Sequence, residues 1–245
     1  MKVKERVEKM TEGGKIIVEI MKEIISHVEP GVTTLQLDRL SESLCSKYGV
    51  KPAFKGYEGF PNTLCVGPND TVVHGIPDDI PLEEGDILSL DVGIVYKKVY
   101  LDMARTVGVG KVSKQAEKFM EVCELALKKA CSVAVPGNRV GDISFEIQSY
   151  AESHGYSVVR EMVGHSVGER LHEEPMIPGV GSPNTGELLY DGQTIAIEAI
   201  FNMGGPEISI SRKDGWTSKT KDGSLSALFE NTVVVAEEPK ILTLL

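Results

Sequence analysis

Apolar positions recur at helical spacing over the first part of the chain. Between about Glu5 and Val28, Met10, Ile17, Ile20, Met21, Ile24, Ile25 and Val28 form one stripe with charged residues between them. The pattern predicts an amphipathic helix ended by Pro30-Gly31, in spite of Gly13-Gly14, each of which costs about 1 kcal/mol relative to alanine in a helix interior. Thr33 followed by Gln36 has capping-box spacing and opens a second helix, which Gly49 closes in a left-handed cap. From Lys51 to about Gly110 the pattern changes to β-branched, glycine-bounded runs such as ILSLDVGIV and VYLDMARTVGVG, which predict sheet. Helical spacing returns from a Ser113 cap to about Ala134, stops at Pro136-Gly137 and resumes from Asp142 to Gly155. Strands and turns then run from Tyr156 to the C-terminus.

This order of helix, helix, strands occurs twice. Shifted by 106 residues, Pro30-Gly31 falls on Pro136-Gly137, Leu37 on Ile143, Ser43 on Ser149 and Gly49 on Gly155. His74-x-x-Pro77 is echoed by His172-x-x-Pro175, and Gly85…Asp91 by Gly192…Glu198. A Pro-Gly after a helix is common, but several echoes in one order point to a duplicated α+β architecture. The two α/β halves, about 5–110 and 113–245, would pack about a pseudo-twofold axis, and no low-complexity linker divides them into separate domains.

Composition narrows the function classes. At 245 residues the chain is long enough to bury roughly 70–75% of its unfolded surface without disulfide or metal staples. The net charge of −10 argues against a nucleic-acid-binding surface, and the basic spots at Lys97-Lys98 and from Arg212 to Lys221 read as solvated. Cys45, Cys65, Cys123 and Cys131 show no C-x-x-C spacing, and Cys123 and Cys131 fall inside a helical pattern as small hydrophobes. The N-terminal MKVKERVEKM is too charged to begin a signal peptide, and the apolar stretch Ile16–Val28 is interrupted by glutamate and lysine. A cytoplasmic protein with no membrane partner is the expectation.

The candidate chemistry centres on GHSVGERLHEEP, Gly164 to Pro175, whose apolar residues fit neither helical nor strand period. His165 and His172 are seven apart, which suits neighbouring strands or a turn facing one cavity. Asp91 stands in an apolar strand and Asp102 in the next, joined by a turn at Val95–Lys98 that would set the two roughly opposite each other. Glu198 in TIAIEAI and Glu230 in SALFENT repeat the same oddity. A carboxylate in an apolar strand is costly unless it is paired or bound to a cation. Each acid could be a separately satisfied polar group, but one dinuclear site with His165 accounts for all four. Carboxylates with one imidazole suit Mn²⁺, Fe²⁺, Co²⁺ or Zn²⁺.

These segments, together with HGIP at His74 and DGWTSKTKDGSLSALFENT, resemble the type I, bacterial-form methionine aminopeptidases over essentially the whole chain. The resemblance implies the pita-bread fold, with a curved antiparallel sheet covered by helices, and removal of the initiator methionine when the second residue is small. It implies two divalent metal ions held by Asp91, Asp102, His165, Glu198 and Glu230, with Asp102 and Glu230 bridging and a bridging hydroxide attacking the peptide carbonyl. His172 would stabilise the tetrahedral intermediate, His74 would contact the substrate backbone nitrogen, and Glu198 would carry a proton to the leaving amine. Tyr57, Phe60, Cys65 and Trp216 match positions lining the methionine pocket. Partners implied are nascent polypeptide N-termini at the ribosome, met by a monomer. The chain departs from the family pattern at Leu101, Ser166, Leu171, Leu228 and Asn231 and in the Lys97-Lys98 turn, none of which removes a metal ligand.

Two other readings remain: a non-catalytic pita-bread module that binds protein, which typically lacks some of the five ligands present here, and an Xaa-Pro aminopeptidase, which usually carries a separate N-terminal domain. Since Lys2 is not small, the resemblance also predicts that the mature protein keeps Met1. Intact-mass spectrometry of the natively expressed protein should find the methionine in place; Lys2 as the first residue would contradict the specificity.

Overall fold

The computed structural model describes residues 1–245, the whole sequence. The first half holds α1 (Val3–Ser26), α2 (Thr34–Lys47), β1 (Lys51–Pro52), a short 3-10 turn at Tyr57–Gly59, β2 (Leu64–Pro68), β3 (Thr71–Val73), β4 (Ile87–Tyr96) and β5 (Val99–Gly108). The second holds α3 (Lys114–Ser132), α4 (Val140–Ser153), β6 (Ser157–Val158), β7 (Gly164–Ser166), β8 (Glu173–Ile177), β9 (Thr194–Asn202), β10 (Ile208–Ile210), β11 (Ser218–Thr220), β12 (Ser226–Val234) and β13 (Lys240–Ile241). No helix is long and apolar enough to cross a membrane.

The helix ends follow their local chemistry. Thr33 and Gln36 form the reciprocal capping box of α2, and the Ser113 hydroxyl accepts from the Ala116 amide at α3. α4 begins at Val140, two residues before the predicted Asp142. Asp142 is instead the third helical residue, its carboxylate accepting the Arg139 amide at 2.7 Å. The echoed glycines share a backbone conformation as well as a position: φ is 93° at Gly31 and 95° at Gly137, 67° at Gly49 and 79° at Gly155, 98° at Gly85 and 75° at Gly192. Each is in the left-handed region, where a side chain is costly, so the echoed positions match in backbone conformation as well as in residue type.

All pairings are antiparallel. The main sheet runs β1-β4-β5-β12-β9-β7-β8, with β2 beside β4, β6 beside β9 and β13 beside β12, while β10-β11-β3 form a smaller sheet. The sheet centre therefore joins the halves through β5 and β12. Alternation then sorts the side chains. Leu88, Leu90, Val92 and Ile94 of β4 and Leu101 and Met103 of β5 pack with the apolar faces of α1 and α2. Ile195, Ile197, Ala199 and Phe201 of β9 with Ala227 and Phe229 of β12 pack with α3 and α4. The residues between them point away from all four helices.

The β4–β5 hairpin corrects one expectation. Asp91 pairs with Ala104 and Asp102 with Gly93, so the two aspartates are diagonal neighbours and not directly opposite partners. The turn itself is confined to Lys97-Lys98, with φ of 46° and 73°. A two-residue turn of this kind needs left-handed backbone at both positions, hence the usual preference for Asn-Gly. Lys97 Nζ pairs with Glu12 at 2.7 Å, and the Tyr96 hydroxyl donates to the same carboxylate, so the tip is tied to α1.

Gly13-Gly14 also acquires a reason. A Cβ on Gly13 would lie 2.6 Å from Leu101 Cδ1, and one on Gly14 would run into the carbonyl oxygen of Leu242. The pair lets α1 approach both the sheet and the C-terminal segment at backbone distance. Gly14→Ala should therefore destabilise by about 1–3 kcal/mol despite the better helix propensity of alanine. Urea denaturation measures this, and an increase in stability would overturn the packing argument.

Candidate metal centre

The strand register alone collects the acidic residues. Asp91 on β4 pairs with Ala104 on β5, Ala104 with Glu230 on β12, and Glu230 with Glu198 on β9, giving one continuous row across four strands. In the adjoining row the Thr232 hydroxyl accepts from the Asp102 amide and donates to the Asp102 carbonyl, Thr232 pairs with Ala196, and Ala196 with His165 on β7. Directly paired residues face the same side of a sheet, as do residues two apart on one strand. Both rows therefore project from the face opposite the helices.

This face forms the floor of a cavity of about 140 Å³. Asp91, Asp102, His165, Glu198 and Glu230 all line it, and every one of the proposed ligands is thus brought together. Asp102 and Glu230 are 3% and 2% exposed, whereas Asp91 and Glu198 keep partial access through the mouth. One carboxylate oxygen each of Asp91, Asp102 and Glu230 is buried with no hydrogen-bond partner. Ligand atoms from Asp102, His165 and Glu230 lie within 4.8 Å of one another. These unpaired oxygens are ones a cation would satisfy, because leaving a buried carboxylate unpaired is among the costliest arrangements in a folded protein. The donor set, four hard carboxylates and one imidazole, fits a divalent metal ion.

His165 is prepared to serve as a ligand. Its Nδ1 lies 3.0 Å from the Ser166 carbonyl oxygen, which can only accept, so Nδ1 carries the proton and Nε2 presents a lone pair. That Nε2 stands 3.7 Å from Glu198 Oε1. Burial, reinforced by neighbouring His172, pushes the His165 pKa down to about 4 and keeps the ring neutral. Ser166, where the family pattern has glycine, has no positive φ. Its side chain introduces no backbone strain, and its hydroxyl accepts from Gln193 Nε2 at 3.3 Å.

Around the mouth stand the remaining predicted residues: Tyr57, Phe60, Cys65, His74, His172 and Trp216 all line the same cavity. Phe60 and His74 meet the Trp216 ring edge-on, at centroid distances of 5.3 and 6.1 Å. Burial raises the Cys65 thiol well above its ordinary pKa, and the nearby carboxylates add to this, so it is a neutral wall and not a thiolate. Leu171 fills part of the wall, buried beside Phe54 and Phe60. Sequence reasoning did not single out Phe54, Glu58 and Val73, which also line the cavity. It also gave no sign that His74 adopts a φ of 57°, a conformation uncommon outside glycine.

Behind the floor, on the helix side, Arg105 is buried and donates to the carbonyl oxygens of Ala104, Glu230 and Thr243 and to Asn231 Oδ1. The site thus has one fixed cation close to Glu230, and it had no signature in the sequence.

Without a metal, burial raises all four carboxylates: Asp91 to about 7, and Asp102, Glu198 and Glu230 well above their ordinary values, with mutual repulsion adding to each of these three. A carboxylate with a raised pKa stabilises the fold while protonated, and this contribution fades as pH climbs through its folded value. The depressed histidines act oppositely, but only below their ordinary 6.5. Metal-stripped protein should therefore lose thermal stability as pH rises above about 6.5, and saturating divalent metal should abolish the slope. Differential scanning calorimetry of both forms tests this; a stripped protein that grows more stable over that range would count against the arrangement.

Comparison with known proteins agrees with this geometry. The family model for metallopeptidase family M24 matches residues 8–237. The methionine aminopeptidase of Clostridium perfringens is 43% identical over 246 aligned residues, covering 100% of this chain and 98% of that protein. The crystal structure of methionine aminopeptidase from Rickettsia prowazekii superimposes with a TM-score of 0.97 at 39% identity, covering 98% of each chain. The prolidase of Pyrococcus horikoshii, at 20% identity and a TM-score of 0.79, shares the fold, and this chain covers 62% of it. The chain belongs to metallopeptidase family M24, and within it to the methionine aminopeptidases with their pita-bread fold and dependence on a divalent metal.

Proposed function

We propose that this protein is a dinuclear metalloaminopeptidase that removes the initiator methionine from nascent chains whose second residue is small. The observation that carries the reading is the pair of adjacent rows placing four carboxylates and His165 on one sheet face, with orphaned oxygens, beneath a mouth that holds His74, His172 and Trp216. Asp91, Asp102, His165, Glu198 and Glu230 would hold two divalent ions, with Co, Mn, Fe and Zn all compatible with the donors. Bound there, the ions supply Lewis acidity, polarising the peptide carbonyl and making water a nucleophile near neutral pH.

The side chains do the rest. Phe60, Trp216, Tyr57 and the neutral Cys65 enclose the thioether, whose sulfur packs well against aromatic edges. His74 contacts the backbone nitrogen beyond the methionine and fixes the scissile bond over the floor. His172 donates to the carbonyl oxygen as negative charge develops on it, which stabilises the transition state more than the ground state. Glu198, partly open to the mouth, takes a proton from the attacking water as a carboxylate and delivers it to the leaving amine. The protein would act in the cytoplasm as a monomer, on chain N-termini emerging from the ribosome.

The Xaa-Pro reading draws on the fold shared with prolidase. Sequence identity at the level of the methionine aminopeptidases favours the first reading, and a Met-Ala-Ser versus Xaa-Pro substrate comparison separates them. With reconstituted enzyme and Met-Ala-Ser, His172→Ala should lower kcat about 10²–10³-fold and Glu198→Ala about 10²–10⁴-fold. Chelation should abolish turnover, and a titration with each metal should restore it. Wild-type-like turnover in either variant would refute the roles assigned; absence of both bound metal and turnover in the wild type would favour a binding module.

A further inference from the structure

Tyr57 has a contact that a pocket wall does not need. Its hydroxyl lies 2.9 Å from Nδ1 of His172, and this is the sole hydrogen bond of the His172 side chain. His172 is exposed at the mouth, where an imidazole without an anchor turns over freely and exchanges tautomers. Two edge-on contacts bracket the ring: Tyr57 at a centroid distance of 5.2 Å and His165 at 4.4 Å. We propose that the Tyr57 hydroxyl donates to Nδ1 of His172 and locks the imidazole as the Nε2–H tautomer, with that N–H left to face the cavity.

The direction of the bond follows from the partners. A phenol is a stronger acid than a neutral imidazole N–H, and an imidazole nitrogen is a better acceptor than a phenolic oxygen, so O–H···N is the favoured polarity. Burial raises the pKa of Tyr57, so the hydroxyl keeps its proton to donate. The phenol is itself held in place. The Tyr57 amide donates to the Phe54 carbonyl and the Phe60 amide to the Tyr57 carbonyl, both at 2.8 Å, in a turn whose Gly56, Glu58 and Gly59 have φ of 87°, 48° and 91°.

The neighbouring ring has the opposite setting. His165 gives its Nδ1 proton to the Ser166 carbonyl and presents a bare Nε2, whereas His172 accepts at Nδ1 and presents Nε2–H. Two imidazoles in edge contact thus offer one lone pair and one proton, the first suited to a cation and the second to a developing oxyanion. A misassigned tautomer at His172 would point a lone pair at that oxyanion. Tyr57 acts through His172 and is a positioning residue.

The catalytic consequence rests on the aminopeptidase reading, but the tautomer does not. Two-bond ¹H–¹⁵N spectra of the metal-free protein, assigned with His172→Ala, should show a bare Nδ1 and a protonated Nε2 for His172. Tyr57→Phe, which keeps the ring and its packing, should shift the signals to those of a tautomer mixture. On Met-Ala-Ser the same variant should lower kcat about five- to tenfold with KM changed by less than about twofold. In a His172→Ala background it should have no further effect. A protonated Nδ1 in the wild type, an unchanged spectrum in Tyr57→Phe, a loss confined to KM, or an equal loss in the His172→Ala background would each overturn the proposal. A wild type inactive on Met-Ala-Ser would sink the aminopeptidase reading and leave the spectra to decide the tautomer.

Discussion

Burial of four carboxylates within a few ångströms of one another is the constraint on which the rest depends. Left without a cation, such a cluster repels itself and holds protons at pH values where carboxylates are normally charged. The fold tolerates it because antiparallel register places the acids at set positions along two rows, and because the opposite face of the same strands buries a largely apolar layer under four helices. Slipping β12 by one residue would exchange Glu230 for Asn231 or Phe229 on the cavity face and put a carboxylate among the helices. Apolar packing on one face therefore enforces the register that the other face needs.

Much of this was legible in the sequence, for reasons tied to particular residues. Asp91, Asp102, Glu198 and Glu230 stood out because each interrupts an apolar strand, where an unpaired charge is unaffordable. The matched turns after the helices were legible through Pro-Gly and Gly positions, since a left-handed backbone leaves glycine as a residue-type signature. The His165–His172 spacing correctly suggested strand and turn, because it fits no helical face.

Other features were hidden because they depend on pairs of segments far apart in the chain. The diagonal relation of Asp91 and Asp102 follows from the actual turn residues, which hairpin length alone leaves one register step uncertain. Gly13-Gly14 looked like a weakness in α1 until the Leu242 carbonyl took its place beside them. The bond between Tyr57 and His172 joins residues 115 positions apart, and no local pattern announces it. Arg105 is invisible for the same reason: its four acceptors come from β5, from β12 and from the segment after β13.

That guanidinium has a bearing on how the molecule can change over evolutionary time. Arg105 gives one donor to Asn231, whose oxygen also accepts from Thr243, and both side chains are buried. Exchanging either partner alone strands a buried charge or an unsatisfied amide directly behind Glu230. The two positions are therefore coupled: what a change at one costs depends on which residue stands at the other.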